Sequence, residues 1–333
     1  MLLAGDIGGT KTVLALFEIT QEGLSLEPVA HKIFPSDQYD SLEVIIEAFL
    51  QGLDETIEAA SFGVAGPVVN GRAQITNLPW VIDTAVIQQT LNIERVVLLN
   101  DLESIANAVP YLNLETELVT LSPGTPKEKG AKAVIAPGTG LGEAFLVWEA
   151  PLQRYEAHPS EGGHASFAPT TPLQQDLLTF LQNRMEHVSF ERVCSGSGIP
   201  NLYTFLRDTG RYPEPSWLRE ELARVDDLTP TIMDTAVSGK SDLCIATLNL
   251  FIEILAGEAA NIALKVLATG GVYLGGGIPP RILSQIQSSP FNQMFTQKGR
   301  FTDLLEEMPI YLIRNPQVAL HGAAYHGFNL VNE

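Results

Sequence analysis

The chain begins with two apolar runs, within residues 2–17, separated by the short turn Gly8-Gly9-Thr10. This pattern predicts two strands joined by a tight turn. Glycines let backbone N–H groups approach an anion, Thr10 adds a hydroxyl group, and Asp6 adds a carboxylate. Taken alone, the turn fits a phosphate-binding hairpin and an ordinary β-hairpin equally well.

Apolar strands and amphipathic helices then alternate. Continuous apolar runs predict strands over 59–68 and 94–101, and apolar residues at helical spacing predict helices over 40–53 and from Asp101 onward. This alternation predicts an α/β layer architecture.

A second strand, glycine turn and strand occur over residues 131–148, around Gly138-Thr139-Gly140-Leu141-Gly142. The repeat indicates two related halves that face each other across a cleft, each with a phosphate-binding turn. A third glycine-rich segment, 270–280, follows a long amphipathic helix predicted over 242–268. Its glycines allow a flat ligand to lie against the backbone.

Composition narrows the function. The 333 residues are enough for two domains, and a net charge of −19 argues against a nucleic-acid partner, which requires a basic surface. No apolar run is expected to reach the length of a membrane span, and no signal peptide is evident, so a cytoplasmic location is expected. The 2 cysteines, Cys194 and Cys244, are too few for a cysteine-based zinc site and are expected in the core.

Two common phosphate motifs are absent. No G-x-x-x-x-G-K-[ST] string occurs, and the glycines at 138–142 have neither the spacing nor the following helix of a dinucleotide fingerprint. The sequence therefore indicates a nucleotide site built from two hairpin turns and a glycine-lined adenosine shelf.

Seven segments, in order along the chain, carry a resemblance to a known family. They are residues 5–10, 76–80, 99–101, 138–142, 161–164, 191–196 and 271–278. Together they resemble the bacterial glucokinases of the sugar-kinase, actin and heat-shock-chaperone superfamily, from residue 1 to about residue 327.

The resemblance implies a two-domain actin-like ATPase (ribonuclease H-like) α/β fold with the active-site cleft between the domains. The small domain would comprise residues 1–110 and 314–333, and the large domain residues 111–313. ATP with Mg²⁺ would phosphorylate the 6-hydroxyl of glucose, and the protein would be a homodimer without a nucleic-acid or membrane partner.

No protein-held metal is implied. Mg²⁺ would arrive with ATP and lie near Asp6 through water. The predicted nucleotide-binding residues are Gly5, Asp6, Ile7, Gly8, Gly9, Thr10, Gly138, Thr139, Gly140 and Gly276.

Asp101 is the candidate general base, because it ends an apolar strand where ligands of open α/β sheets collect. The alternative is a helix N-cap, since a helical pattern follows.

The predicted sugar-binding residues are Asn77, Asn100, Glu161, His164 and Glu191. Carboxylates and amides bind pairs of hydroxyls, and for Glu191 the assignment is implied by the family resemblance alone. From residue chemistry alone, Glu191 reads as a solvated helix residue and Asn77 as a turn residue; His164 is a sugar ligand or a structural donor.

Several alternatives stay open. Lys11 stands where many glucokinases have Asn, which leaves the choice between ATP and polyphosphate open. Another hexose, such as mannose or N-acetylglucosamine, is a second possible substrate. A sugar-sensing repressor is disfavoured by the charge and because the chain begins directly with the first hairpin, and a chaperone-like ATPase would need a peptide-binding domain.

Overall fold

The computed structural model describes residues 1–20, 23–75 and 78–332. The chain forms two compact units. The first comprises Met1–Asn113, Glu149–Pro159 and Asn315–Glu333, and the second comprises Leu114–Trp148 and Ser160–Arg314. The segment 149–159, which the sequence analysis assigned to the larger domain, thus groups with the first unit.

The strands of the described residues are β1 (Leu2–Ile7), β2 (Lys11–Phe17), β3 (Ile19–Thr20), β4 (Gly23–Leu24), β5 (Ala30–Pro35), β6 (Ala59–Val64), β7 (Val68–Val69), β8 (Arg72–Gln74), β9 (Val81–Asp83), β10 (Arg95–Asn100), β11 (Leu118–Ser122), β12 (Lys132–Pro137), β13 (Leu141–Glu149), β14 (Arg154–Ser160), β15 (Gly271–Leu274) and β16 (Ile310–Ile313). The α-helices are α1 (Leu42–Leu50), α2 (Thr84–Leu91), α3 (Asp101–Ala108), α4 (Pro172–Gln182), α5 (Ile199–Asp208), α6 (Ser216–Leu222), α7 (Leu228–Val237), α8 (Asp242–Val266), α9 (Leu283–Ser288), α10 (Phe291–Thr296), α11 (Thr302–Glu306) and α12 (Val318–Val331).

The main sheet of the first unit has the order β10-β6-β1-β2-β5. β1 and β2 form the predicted antiparallel hairpin, and β6 and β10 run parallel to β1. The register aligns Ile7 with Val64 and Val64 with Asn100. The carboxyl ends of these three strands therefore meet at one edge of the sheet, the usual position for a ligand site in such folds.

The sheet β11-β16-β15-β12-β13-β14 repeats this plan. β12 and β13 form an antiparallel hairpin, and β15 and β16 continue the sheet parallel to β12. The internal repeat predicted from two glycine turns thus extends to the strand order around each hairpin.

The last helix, α12, packs against α3 in the first unit. A Cβ atom at Gly322 would lie 1.7 Å from the carbonyl oxygen of Ser104, so only glycine allows this close approach. α12 thereby supports the helix whose first residue is Asp101.

By length and composition alone, helix α8 could cross a membrane. The expectation that no apolar run approaches the length of a membrane span is therefore wrong. However, 72% of its most apolar window is buried in the structure. Its side chains, among them Leu248, Phe251 and Leu255, belong to the hydrophobic core of the second unit. This burial explains the length of the apolar run as the packing of a core helix.

Candidate active site

Hydrogen bonds to backbone carbonyl groups stabilise the first glycine turn, Gly8-Gly9-Thr10. The N–H of Gly8 donates to the carbonyl of Lys11 at 2.9 Å, which closes the turn. Ser36 supports it from outside: its Oγ donates to the carbonyl of Gly8 at 2.8 Å and its N–H to that of Thr10 at 3.1 Å. Among the described residues, the N–H groups of Gly9 and Thr10 have no acceptor. They are available to an anion.

Two of the predicted nucleotide-binding residues do not reach this surface. Gly5 and Ile7 are buried within β1, and a Cβ at Gly5 would lie 2.7 Å from the ring of Phe62. The alternation of side chains along the strand places both residues in the core. Their position does not fit the expected contact with a ligand.

Asp6 and Asp101 lie at the edge where β1 and β10 end. Burial raises the pKa of the Asp6 carboxyl, the Lys11 ammonium lowers it, and the negative charge of Asp101 raises it again. The effect of Asp101 on the pKa of Asp6 indicates that the two carboxylates lie in the same region of the first unit.

The N-cap of α3 is Asn100, not Asp101. The Oδ1 of Asn100 accepts a hydrogen bond from the N–H of Glu103 at 2.6 Å. Asp101 is the first helical residue; it is exposed, and its Oδ1 accepts from the N–H of Leu102 at 2.9 Å. The cap role weighed for Asp101 is therefore filled by its neighbour. Asn77, the other predicted sugar ligand of the first unit, lies outside the described residues.

The second glycine turn is held from the loop that follows Glu191. The N–H of Gly138 donates to the carbonyl of Gly140 at 2.9 Å. The N–H groups of Gly196 and Ser197 donate to the carbonyls of Gly138 and Thr139 at 2.8 and 3.1 Å. The carbonyl groups of this turn are thus occupied by the protein.

Three predicted sugar ligands come together in the second unit. Glu161 precedes a short helical turn that ends at His164, and their side chains are 76% and 61% exposed. The Oε2 of Glu161 lies 3.9 Å from the Nε2 of His164. The N–H of Glu191 donates to the carbonyl of Gly163 at 2.9 Å, which joins Glu191 to this turn. We call the segment Glu161–His164 the sugar loop.

Glu191 also contacts the second glycine turn. Its Oε2 accepts a hydrogen bond from the N–H of Leu141 at 3.0 Å, and its side chain is half-buried. Residue chemistry alone favoured a solvated helix position, which the structure contradicts, because Glu191 lies in a turn that bridges the sugar loop and the glycine turn.

A cavity of about 430 Å³ lies beside the second glycine turn. Its lining residues are Gly138, Thr139, Gly196, Ser197, Asp227, Thr229, Pro230, Met233, Asp234, Val237, Gly277, Ile278, Arg281 and Ile282. Gly276 does not line it, but its φ of +81° and its close approach to the carbonyl of Pro137 place Gly277 at the wall.

Helix α7 forms one wall of this cavity, which the sequence motifs did not predict. Thr229 attaches α7 to the glycine-turn loop, since its Oγ1 donates to the carbonyl of Gly196 at 2.8 Å. Asp234 pairs with Arg281 at 3.1 Å on the same side. The Asp227 N-cap was the available sequence signal, but it predicts only the start of a helix.

Comparison with known proteins agrees with this geometry. A family model described as glucokinase matches residues 3–329. A glucokinase of Nostoc punctiforme is 41% identical over 97% of this chain and 98% of its own. The crystal structure of a glucokinase from an Antarctic psychrotroph is 32% identical, with a TM-score of 0.86 and coverage of 98% of both chains.

A more distant structure, a glucokinase of the ROK family from Streptomyces griseus in complex with glucose and AMPPNP, is 17% identical, with a TM-score of 0.61 and coverage of 98% of both chains. It supports the fold alone. The predicted α/β class of actin-like ATPases is confirmed, and the chain belongs to the glucokinase family.

Proposed function

We propose that this protein transfers the γ-phosphoryl group of ATP to the 6-hydroxyl of D-glucose, which gives glucose 6-phosphate and ADP. The observation that carries the proposal is the pair of carboxylates, Asp6 and Asp101, beside a glycine turn with unoccupied N–H groups. Phosphoryl transfer needs this combination of anion binding, metal-facing carboxylate and base. The 41% identical relative from Nostoc punctiforme is a glucokinase, which supports the choice of glucose as the substrate.

In the first unit, Asp101 is the proposed general base. Its exposed carboxylate orients the 6-hydroxyl and accepts its proton as the hydroxyl oxygen attacks phosphorus. The N–H groups of Gly9 and Thr10 are proposed to bind phosphate oxygens. Asp6 fits Mg²⁺ that arrives on ATP, because Mg²⁺ keeps several waters and takes one or two carboxylates. The metal would neutralise charge on the phosphates.

In the second unit, the sugar loop and Glu191 are proposed to bind sugar hydroxyls. In the first unit, Asn100 is also a proposed sugar ligand. A carboxylate left without its hydroxyl partner costs about 10⁴- to 10⁵-fold in discrimination, so these groups select among sugars. The cavity of about 430 Å³ beside Gly138 and Thr139 is proposed for the adenosine moiety.

A coupled assay over a panel of sugars and phosphate donors tests the proposal. We expect glucose with ATP and Mg²⁺ to give the highest kcat/KM. Higher values for mannose or N-acetylglucosamine would assign a different hexose, and a preference for polyphosphate would give Lys11 a role in donor choice.

We also propose a cytoplasmic homodimer. Helix α8 does not support the dimer, because it is buried in its own unit. Sedimentation velocity tests the assembly, and a single monomeric species at micromolar concentration would contradict it.

A further inference from the structure

Two carboxyl groups with no place in the proposed reaction lie inside the second unit. Glu143 of β13 is 2% exposed, and Glu258 of α8 is fully buried. The two carboxyl groups are neighbours, since each affects the pKa of the other. In each, Oε1 has no hydrogen-bond donor among the described residues. A buried carboxylate without a donor is costly, so this pair calls for an explanation.

The groups around the pair do not stabilise a negative charge on both carboxyls. From α8, the Nζ of Lys265 lies 3.7 Å from the Oε1 of Glu258, and the Nδ2 of Asn261 donates to its Oε2 at 2.7 Å. The Nζ of Lys298 donates to the Oδ1 of Asn261 at 2.5 Å, and its positive charge lowers the pKa of Glu258. These groups stabilise one negative charge, on Glu258. Cys194 is also near, and burial, followed by the charges of the two carboxylates, raises the pKa of its thiol, so it stays neutral.

Neighbouring buried carboxyls of this kind retain a proton between them, because two like charges in contact cannot both be accommodated. Burial and the adjacent Glu258 raise the pKa of Glu143 to about 8. At neutral pH the pair therefore holds one proton, and that proton supplies the donor that the geometry lacks.

The carboxyl of Glu143 also contacts the backbone of the sugar loop at Gly162. A Cβ built on Gly162 would lie 1.9 Å from the Oε2 of Glu143, so the loop backbone rests directly on this carboxyl. Gly162 stands between Glu161 and Gly163, and its N–H is held by the Oγ of Ser160 at 3.0 Å. A movement of Glu143 consequently displaces the backbone that carries Glu161 and His164.

We propose that Glu143 and Glu258 are positioning residues for the sugar loop, in which one shared proton keeps Glu143 seated against Gly162 and so holds Glu161 and His164 in place. This inference rests on the proposed role of the loop in sugar binding. Loss of the shared proton puts a second charge into the buried pair, and the repulsion moves Glu143 and the loop.

The pH dependence of the kinetic constants tests the pair, with the best sugar from the panel as substrate. We expect KM for the sugar to rise about tenfold between pH 7 and pH 9, while kcat and KM for ATP change less than about twofold. In E143Q, which is neutral and still donates a hydrogen bond, the rise should vanish. The control is E253Q, a half-buried glutamate of the same helix, which should keep the wild-type profile.

Isotope-edited infrared spectra of ¹³C-glutamate protein give a readout that needs no activity. We expect the wild type, but not E143Q, to show a protonated carboxyl band at pH 7 that titrates away near pH 8. Absence of that band overturns the shared proton, and an unchanged alkaline KM rise in E143Q overturns the positioning role. A preference for another hexose would refute only the proposed function, since the same profile for that hexose still tests the pair.

Discussion

The carboxylate of Asp101 stands at the first residue of α3, where it is exposed and its neighbour Asn100 caps the helix. Because the cap does not depend on it, Asp101→Asn should leave the fold intact and lower kcat by about 10²- to 10⁴-fold, with little change in KM for glucose. Steady-state kinetics with a thermal unfolding curve measure both effects. Asp83→Asn is the matched control, since Asp83 caps α2 in the same unit and Asn caps equally well. Near-normal turnover in Asp101→Asn would remove the base assignment.

Glu143 should also leave a signature in stability. Its pKa is raised from 4.5 to about 8 in the folded state, so between these values the native protein binds one more proton than the unfolded chain. The contribution of Glu143 to the free energy of unfolding is largest below pH 4.5. It falls by up to about 1.4 kcal/mol per pH unit as the pH rises to 8.

The difference in Tm between E143Q and the wild type should therefore grow in favour of E143Q from pH 5 to pH 8 and then level off. Calorimetry across this range measures it. A difference that is constant with pH would contradict the raised pKa.

Residue chemistry and motifs identified exposed candidate groups but not the buried ones. Asp101, Glu161 and His164 were identified through motifs, and the structure leaves them exposed. Glu143 carried no signal, because a glutamate in an apolar run gives no indication of a partner on a distant helix. Glu191 was misjudged from chemistry for a similar reason: its acceptor role depends on Leu141, which only folding brings near.

At the scale of elements, the contact between α12 and α3 should be sensitive to a single methyl group. Gly322→Ala places a Cβ against the carbonyl of Ser104 and should destabilise the protein by about 1–3 kcal/mol, and kcat should fall because α3 carries Asp101. Denaturant unfolding and kinetics measure the two effects.

The matched helix glycine is Gly257 of α8, where an added Cβ meets nothing within 4 Å. Gly257→Ala should raise stability by about 0.5–1 kcal/mol through helix propensity alone. Equal effects of the two substitutions would contradict the close approach at Gly322.

Elements with strong local signals were predicted well, and those defined by tertiary contacts were not. Both hairpins follow from apolar runs interrupted by glycine, and the structure places their turns at Gly8 and Gly138. The cavity wall on α7 was missed, because its helical pattern resembles that of any surface helix. The length of α8 was read correctly to within two residues, but its apolar character was underestimated, since its burial depends on the whole core around it.

For the whole molecule, the chain forms two compact units, each with its own sheet and glycine turn. Water competes with the sugar for the γ-phosphoryl group, so we expect glucose to induce a more compact state that excludes water. Small-angle scattering should show a smaller radius of gyration with glucose, and ATP hydrolysis without sugar should be slow. Identical scattering curves with and without glucose would contradict the closure.

The most direct measurement of the proposed function is ³¹P NMR of the wild type and Asp101→Asn with ATP, Mg²⁺ and glucose. The wild type should form glucose 6-phosphate and ADP in equal amounts, and Asp101→Asn should form both about 10²- to 10⁴-fold more slowly. ADP with inorganic phosphate in place of the sugar phosphate, or phosphate on another hydroxyl, would contradict the proposed reaction.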